Sequence, residues 1–320
     1  PGLHWPYSQK SCRLKDNCTM GISQYIKEIG RGKDGARALT REQATDLFGQ
    51  VLDGTVSDLE IGAFCLAMRI KGETPAEMAG FLDATHARMH RVPATSRPVV
   101  VLPSYNGARK LPVLTPLLAL LLAREGLPVL VHGTATESSR VGASDVLAAL
   151  GVPAQTRAGP IAPGTVAFVP TAVLCAGLAR LLDVRRVVGL RNPAHSLVKL
   201  MNPVDGPALV IGSYTHPEYA VSMAATFELT GANALLLRGT EGEPVADPRR
   251  TPQMDAFRQG LQVRVQEAQT GSLARLPELP TAIDAASTAA YVRDILAGHL
   301  PVPAPIEKQL EHILRETGSS

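Results

Sequence analysis

The strongest constraint on the fold is an alternation of short apolar runs with helical patterns that begins at residue 99. Each run is rich in Val, Leu and Ala and ends at Pro, Gly or a polar residue, as buried strands do. The runs lie at 99–102, 129–131, 167–169, 208–211 and 234–237. Helical spacing predicts helices at 115–124, 144–150, 172–182, 217–230 and 286–297. Because strands that alternate with helices form a mostly parallel sheet with helical cover, we predict an α/β domain over residues 94–320.

The residues before this alternation carry only helical patterns. Thr40 and Ser57 stand where N-cap residues belong, and Gln43 completes a near capping box with Thr40. Thr74 followed by Pro75 predicts another start, because proline suits the first turn of a helix. We therefore predict a small all-helical domain over residues 20–93, and a short final helix near the end of the chain at 305–315.

Residues 1–19 differ from the rest of the chain. They hold the one tryptophan and two of the four cysteines without any periodicity, and Met20 follows them. We interpret them as a tag or another non-native leader rather than a signal peptide. The longest apolar run, residues 112–123, is too short to span a bilayer. The expected location is therefore the cytoplasm, with no membrane partner.

Two loops have the composition of an incomplete phosphate site. Residues 131–145 read as a strand end, a loop with paired serines and a helix start. Such serines offer hydroxyls and backbone N–H groups to an anion, although they also serve as simple helix caps. The loop after the preceding strand, residues 103–107, contains one glycine. The predicted remnant phosphate site consists of Ser104, Asn106, Gly107, His132, Gly133, Ser138 and Ser139.

Basic residues are unevenly distributed, although the formal net charge is only +3. They concentrate in residues 20–41, 84–123 and 180–199, and the second of these segments contains no Asp or Glu. Acidic residues concentrate in residues 237–290. A fold that gathers the three basic segments would have one strongly positive face, which suits a polyanionic partner.

The helices, strand, loop, helix and strand, followed by His-Gly-x4-Ser-Ser-x2-Gly-x2-Asp at residues 132–145, resemble the anthranilate phosphoribosyltransferase family. That family shares its fold with the pyrimidine-type nucleoside phosphorylases, and the resemblance covers residues 22–300. It implies that residues 183–203 return to the helical domain. Arg191, in the matching stretch from Gly189 to Pro203, falls where the family's enzymes hold their aromatic carboxylate substrate.

The loop at 103–107 departs from the pattern of those enzymes. They cradle the pyrophosphate of phosphoribosyl pyrophosphate with Gly-Thr-Gly-Gly-Asp, whereas this chain has Pro-Ser-Tyr-Asn-Gly. Pro103 lacks an N–H donor, and Tyr105 adds bulk where the backbone must approach phosphate. The comparison implies that the diphosphate motif is lost.

The magnesium position departs as well. The Asp-Glu pair that holds the metal in the family falls on Pro244 and Val245. A diphosphate without metal carboxylates would be poorly held. Glu241 and Glu243 lie nearby and stay open as substitute ligands. We predict no metal and no cofactor; magnesium and phosphoribosyl pyrophosphate would be needed only if the chain is a transferase after all.

With these losses the chain is similar to the YbiB-type branch of the family, through stretches such as residues 26–33 and 213–219. That resemblance implies a homodimer that binds nucleic acid along a positive groove, DNA above all with RNA left open. Lys and Arg would contact phosphates without reading sequence. With six Tyr and six Phe in the chain, base stacking has little support. The predicted nucleic-acid-binding residues are Lys27, Arg31, Lys33, Arg37, Arg109, Lys110, Arg180, Arg185, Arg186, Arg191 and Lys199.

Two other hypotheses stay open. One is a glycosyl or phosphoribosyl transferase with an altered substrate, in which His132 would act as a general acid or base. Because a structural role is the simpler interpretation of both His132 and His195, we assign no catalytic residue and expect no anthranilate phosphoribosyltransferase activity. The other is a scaffold for protein interaction or metabolic regulation, which the dimer-forming helices of the fold would support.

Overall fold

The computed structural model of the protein describes residues 21–32, 34–93, 95–273 and 276–318. The predicted leader at 1–19 and the predicted basic residue Lys33 lie outside these ranges. The helices are α1 Ser23–Ile29, α2 Arg41–Asp53, α3 Asp58–Lys71, α4 Pro75–His86, α5 Thr115–Arg124, α6 Ala143–Ala149, α7 Thr171–Leu174, α8 Ala176–Val188, α9 Ala194–Leu197, α10 Pro217–Thr230, α11 Ala285–Leu296 and α12 Ala304–Glu316. None of the helices in these ranges has the length and apolar character that crossing a membrane requires.

The strands are β1 Val92–Pro93, β2 Val99–Ser104, β3 Val129–Gly133, β4 Val166–Pro170, β5 Val204–Asp205, β6 Ala208–Tyr214, β7 Ala234–Arg238, β8 Met254–Arg258 and β9 Leu261–Gln266. Seven of them form one sheet in the order β4-β3-β2-β6-β7-β8-β9. The pairs from β4 to β7 are parallel, and β8 and β9 are antiparallel. The predicted α/β class with a mostly parallel sheet is thus confirmed.

The strand order creates a switch point between β2 and β6. The chain runs outward from β2 through β3 to β4, and then starts again on the other side of β2 with β6 and β7. The loops that follow β2 and β6 therefore lead away from each other and leave a crevice at the carboxyl ends of these strands. The candidate site lies at this edge.

Helices α1 to α4 form the small helical bundle that the sequence predicted. Thr40 and Ser57 each accept a hydrogen bond from the backbone N–H three residues later, at 3.3 Å, and so cap α2 and α3. Helices α2 and α4 pack closely, and together with α3 they form a core of aromatic rings. The rings at its centre are those of Phe48, Phe64 and Phe81.

The segment from α8 to β5 returns to the helical bundle. Helix α8 packs on α2, where a Cβ on Gly177 would collide with the backbone of Leu52, and β5 pairs in parallel with β1. The bounds predicted for the helix at 172–182 are wrong. Cys175 has an extended backbone, with φ −154° and ψ 100°, so that a short helix ends there and α8 continues to Val188.

The hairpin of β8 and β9 is absent from the prediction. Its two-residue turn consists of Gln259 and Gly260, both at positive φ (51° and 84°), as hairpin turns of this length require. Every residue of β9 is exposed or half-buried. No apolar run therefore marks this strand in the sequence.

Candidate functional site

The loop after β2 is joined to the loop after β7 by buried hydrogen bonds to Glu243. Its Oε1 accepts the backbone N–H groups of Asn106 and Gly107, both at 2.8 Å. Its Oε2 accepts the hydroxyl of Thr115 at 2.9 Å and the hydroxyl of Ser104. Glu243 is 2% exposed. A carboxylate of this chain therefore takes up the donors that the sequence assigned to a phosphate.

Glu241 occupies a second set of backbone donors in the same way. Its carboxylate accepts the N–H groups of Arg109 at 2.6 Å and of Lys110 at 2.9 Å, and it lies 3.5 Å from that of Leu111. Successive N–H groups that point to one spot form an anion-binding concavity. Glu241 adopts positive φ (53°), which is unfavourable for a residue with a side chain. The hydrogen bonds from the loop compensate for this conformation.

The pair Glu241 and Glu243 does not fit a magnesium site. Each oxygen of Glu243 already accepts two hydrogen bonds, so its lone pairs are directed at protein donors. Pro244 and Val245, where the resemblance places the metal ligands, are buried and supply no carboxylate. Within the described ranges, no three His, Cys, Asp or Glu side chains are grouped as metal ligands would be.

The side chain of Tyr105 fills the space beneath the loop. Its hydroxyl lies 2.9 Å from Nδ1 of His132 and 2.9 Å from Oγ1 of Thr171. Burial lowers the pKa of His132 to about 3, so its imidazole is neutral at physiological pH. The space between residues 104–107 and 134–144 measures about 20 Å³, about the volume of one water molecule.

The seven residues of the predicted phosphate set lie in separate places. Ser104, Asn106 and Gly107 contact Glu243, as described above. Gly133 is buried at the end of β3, where a Cβ would collide with the carbonyl of Ser104. Ser138 and Ser139 are exposed in the turn before α6. Neither serine caps that helix, because its N-cap residue is Gly142, whose N–H donates to the carboxylate of Asp145.

Three arginines surround Glu137 and with it form the Glu137 cluster (Glu137, Arg140, Arg185 and Arg191). Nε of Arg140 lies 2.8 Å from Oε2 of Glu137, and the Nη2 atoms of Arg185 and Arg191 lie 3.0 and 3.4 Å from Oε1. Burial opposes the ionisation of Glu137. The hydrogen bond from Arg185 and the charges of Arg140 and Arg185 outweigh it and hold the pKa of Glu137 below its ordinary value. At neutral pH three positive charges therefore face one negative charge.

Lys199 lies in a cleft of about 650 Å³ between the two domains. Its ammonium group donates to the carbonyl of Gly242 at 2.9 Å and lies 3.5 Å from that of Ser213. Burial lowers the pKa of Lys199 to about 8. Its charge is directed at the β7 loop and away from the outer surface, in contrast to the position predicted for a residue that contacts nucleic acid. His195, also in the cleft, has a pKa lowered by burial to about 4.

The basic residues of the first helical segment share one carboxylate. Glu28 lies 2.6 Å from Nη2 of Arg31 and 4.0 Å from Nη1 of Arg37. Lys27 is exposed and forms no ion pair within the described part of the chain. This group therefore carries more positive than negative charge.

Arg109 and Lys110 are exposed at the tip of the β2 loop. Their side chains form no ion pair with any residue that the structure describes, whereas their backbone N–H groups are held by Glu241. Arg140 links this loop to the Glu137 cluster, because its Nη1 donates to the carbonyl of Asn106 at 3.3 Å.

The remaining predicted basic residues have local partners. Arg180 donates to the carbonyl of Leu52 at 2.9 Å, which ties α8 to α2. Arg186 pairs with Asp183 at 3.2 Å on the surface of α8. Sequence reasoning missed Glu137 and Thr115 as site residues. Glu137 lies in the serine loop at 131–145, outside the three basic segments, and Thr115 is the first residue of a predicted apolar helix. Neither position marks its residue as part of a site.

Comparisons of the sequence with a family model and with known proteins agree with one another. Residues 23–89 match the model of the glycosyl transferase family, helical bundle domain. The chain is 39% identical to the YbiB protein of Escherichia coli (strain K12), over 94% of this chain and 96% of that protein. It is 30% identical to the anthranilate phosphoribosyltransferase of Sorangium cellulosum, over 81% of this chain and 76% of that enzyme.

Solved structures of the same enzyme class share the fold. The anthranilate phosphoribosyltransferase of Thermus thermophilus superposes with a TM-score of 0.70 at 24% identity, covering 92% of this chain and 89% of that one. The enzyme of Saccharomyces cerevisiae in complex with PRPP and Mg superposes with a TM-score of 0.66 at 13% identity, covering 93% and 88%.

Proposed function

This chain belongs to the anthranilate phosphoribosyltransferase-like family, and from that membership we propose that it is a nucleic-acid-binding protein that has lost the diphosphate chemistry of the family. In this proposal it contacts the phosphate backbone without reading sequence, and DNA is the expected partner. The scaffold keeps its two domains and its crevice. The loops that would hold the sugar diphosphate have become structural.

The observation that carries this proposal is the fixed, exposed pair Arg109 and Lys110. Glu241 holds the backbone of both residues, so their side chains project from a loop of defined position. Their positive charge is only partly offset by Glu241 itself. Cations on a rigid surface attract a polyanion and release its counterions on binding.

The occupied donors of the β2 loop support the loss of diphosphate chemistry. Glu243 accepts four hydrogen bonds from donors that a pyrophosphate would otherwise use. The neighbouring space has about the volume of one water molecule. An incoming diphosphate would have to displace a buried carboxylate and leave it without partners, which is costly.

A homodimer would extend the basic surface. Helix α3 has an apolar stripe on its outer side, formed by Leu59, Leu66 and Ile70, which are 84%, 47% and 64% exposed. Helix α1 packs along α3 and carries Lys27, and Arg31 follows it. A two-fold dimer through this stripe would bring the basic helices of two copies close together.

Binding of a labelled oligonucleotide tests the proposal. The double charge reversal Lys27→Glu with Lys110→Glu should weaken binding at least about tenfold, because two phosphate contacts are lost. Arg124→Glu is the matched control, since Arg124 ends α5 at the opposite edge of the sheet. Equal affinities of the wild type, the double variant and the control would refute the proposal.

A transferase with an altered substrate is the second candidate, and the cleft of about 650 Å³ with Arg191 and Lys199 in its lining favours it. Calorimetry with phosphoribosyl pyrophosphate and magnesium separates the two candidates. The proposed function predicts no heat of binding. Magnesium-dependent heat would support the transferase instead.

A further inference from the structure

The Glu137 cluster contains more donors than its carboxylate can satisfy. Three guanidinium groups surround a single glutamate, although one carboxylate matches the fork of one arginine. Nη1 of Arg185 is buried and has no hydrogen-bond partner among the described residues. A buried donor without an acceptor is unfavourable. The cluster therefore has both excess positive charge and a donor that could bind a further oxygen.

The position of the cluster connects it to the proposed binding surface. Glu137 and Arg140 lie in the loop after β3, whereas Arg185 lies in α8 and Arg191 follows that helix. The bond from Arg140 to the carbonyl of Asn106 places the cluster beside the loop that ends in Arg109 and Lys110. A phosphate chain that contacts this loop would thus pass close to the cluster.

We propose that the Glu137 cluster is an oxyanion site in which the carboxylate of Glu137 holds the place of a phosphate group of bound nucleic acid. This inference rests on the proposed function. A phosphodiester presents two charged oxygens, as a carboxylate does, and adds two ester oxygens in a tetrahedral arrangement; arginine binds it in bidentate geometry. When a phosphate displaces Glu137, its negative charge takes the place of the carboxylate charge among the three guanidinium groups, and Nη1 of Arg185 gains an acceptor. Glu137 is then an internal competitor that lowers affinity for polyanions.

Removing the charge of Glu137 should strengthen binding. The variant Glu137→Gln should bind a labelled oligonucleotide about tenfold more tightly at low salt, and the plot of log affinity against log salt should steepen by about one unit. Glu125→Gln is the matched control, because Glu125 lies in the turn before β3, at the opposite edge of the sheet. The control should leave the slope unchanged.

A second substitution tests whether the arginines of the cluster cause the gain in oligonucleotide affinity. Adding Arg191→Gln to Glu137→Gln should abolish most of the gain, since Arg191 is the most exposed arginine of the cluster. If Glu137→Gln does not fold, Arg191→Gln alone carries the test: it should weaken binding and make the slope shallower by about one unit. Unchanged affinity of Arg191→Gln would then overturn the proposal.

The source of the phosphate is tested with inorganic phosphate. At constant ionic strength, phosphate in place of chloride should raise the unfolding temperature of Glu137→Gln more than that of the wild type, because a ligand of the folded state stabilises it. If this occurs without any gain in oligonucleotide binding, free phosphate is the ligand and the assignment to nucleic acid is overturned.

The two proposals fail in different ways. If Lys27→Glu with Lys110→Glu loses oligonucleotide binding while Glu137→Gln binds like the wild type, the proposed function stands and the inference about Glu137 is wrong. If neither the wild type nor any variant binds oligonucleotide, both are wrong for nucleic acid.

Discussion

At the scale of single residues, Glu243 has the largest effect on what the crevice can do. Four donors from the β2 loop and the start of α5 meet at its carboxylate. The sequence allowed a prediction that the loop at 103–107 is poorly suited to a diphosphate, from Pro103 and Tyr105. It gave no indication that a glutamate 136 residues after Gly107 fills the same donors. Such a contact depends on the tertiary structure and leaves no local pattern.

Replacing Glu243 should destabilise the protein and reopen an anion site. Glu243→Ala leaves buried donors unsatisfied, so the free energy of unfolding should fall by about 3 kcal/mol or more. Inorganic phosphate should restore part of this loss in urea unfolding experiments, because the vacated donors suit an oxyanion.

Glu307→Ala, in the exposed first turn of α12, is the control and should show neither effect. Equal stability of Glu243→Ala and the wild type would contradict the described hydrogen bonds. Stability that is lost but not restored by phosphate would contradict the view that Glu243 imitates a bound anion.

Stability should also fall on mild acidification because of buried histidines. Burial lowers the pKa of His86 and His195 to about 4 and that of His132 to about 3. The unfolded chain takes up these protons near pH 6.5 and the folded chain does not. The free energy of unfolding is therefore unaffected by these histidines above pH 6.5. It declines as the pH falls toward 4, by up to about 1.4 kcal/mol per pH unit for each histidine.

Urea unfolding between pH 7 and pH 5 measures this decline, in a range above the titration of most carboxylates. A free energy of unfolding that does not change across this range would show that the histidines are accessible to protons in the folded state.

At the scale of elements, the sequence predicts helices that have a marked first turn and strands that are apolar runs. The helices that begin at Thr115 and Pro217 start at the predicted residue, because proline in the first turn marks them. The exposed strand β9 and the break at Cys175 were not predictable in this way. The former lacks an apolar run, and at the latter no proline or glycine marks the break.

The contact between α8 and α2 gives a test at this scale. In Gly177→Ala the new Cβ would meet the backbone of Leu52, which cannot move as a side-chain end can. The clash should outweigh the better helix propensity of alanine and lower the free energy of unfolding by about 2 kcal/mol.

Gly159→Ala is the matched control, since nothing lies near its Cβ and its φ is negative. It should be neutral or stabilising by about 0.5 kcal/mol. A Gly177→Ala protein as stable as this control would show that α8 does not pack on α2 as described.

At the scale of the whole molecule, class and family were predictable from the alternation of elements and from the motif at 132–145, and the comparisons confirm both. The arrangement of charge was less predictable. Arg185 and Arg191 were expected to be free for a ligand and are paired with Glu137, and Lys199 is turned inward. Ion pairs between distant segments form only in the folded chain, so counting charges along the sequence overestimates the free ones.

Disrupting the stripe on α3 should yield a monomer. Leu66→Glu with Ile70→Glu places two charges in the proposed apolar interface, so light scattering should show half the mass of the wild type. Oligonucleotide affinity should fall because the two basic surfaces are no longer joined. Leu229→Glu, at a comparably exposed leucine of α10, should change neither quantity. A wild-type protein that is already monomeric would refute the proposed dimer.

The salt dependence of oligonucleotide binding by the wild-type protein tests the central claim most directly. If cationic side chains hold a phosphate backbone, log affinity should fall linearly with log salt, with a slope of about −3 or steeper for four or more contacts to a single strand. Binding should not require magnesium or respond to phosphoribosyl pyrophosphate. Affinity that does not depend on salt, or the absence of binding at low salt, would contradict the account.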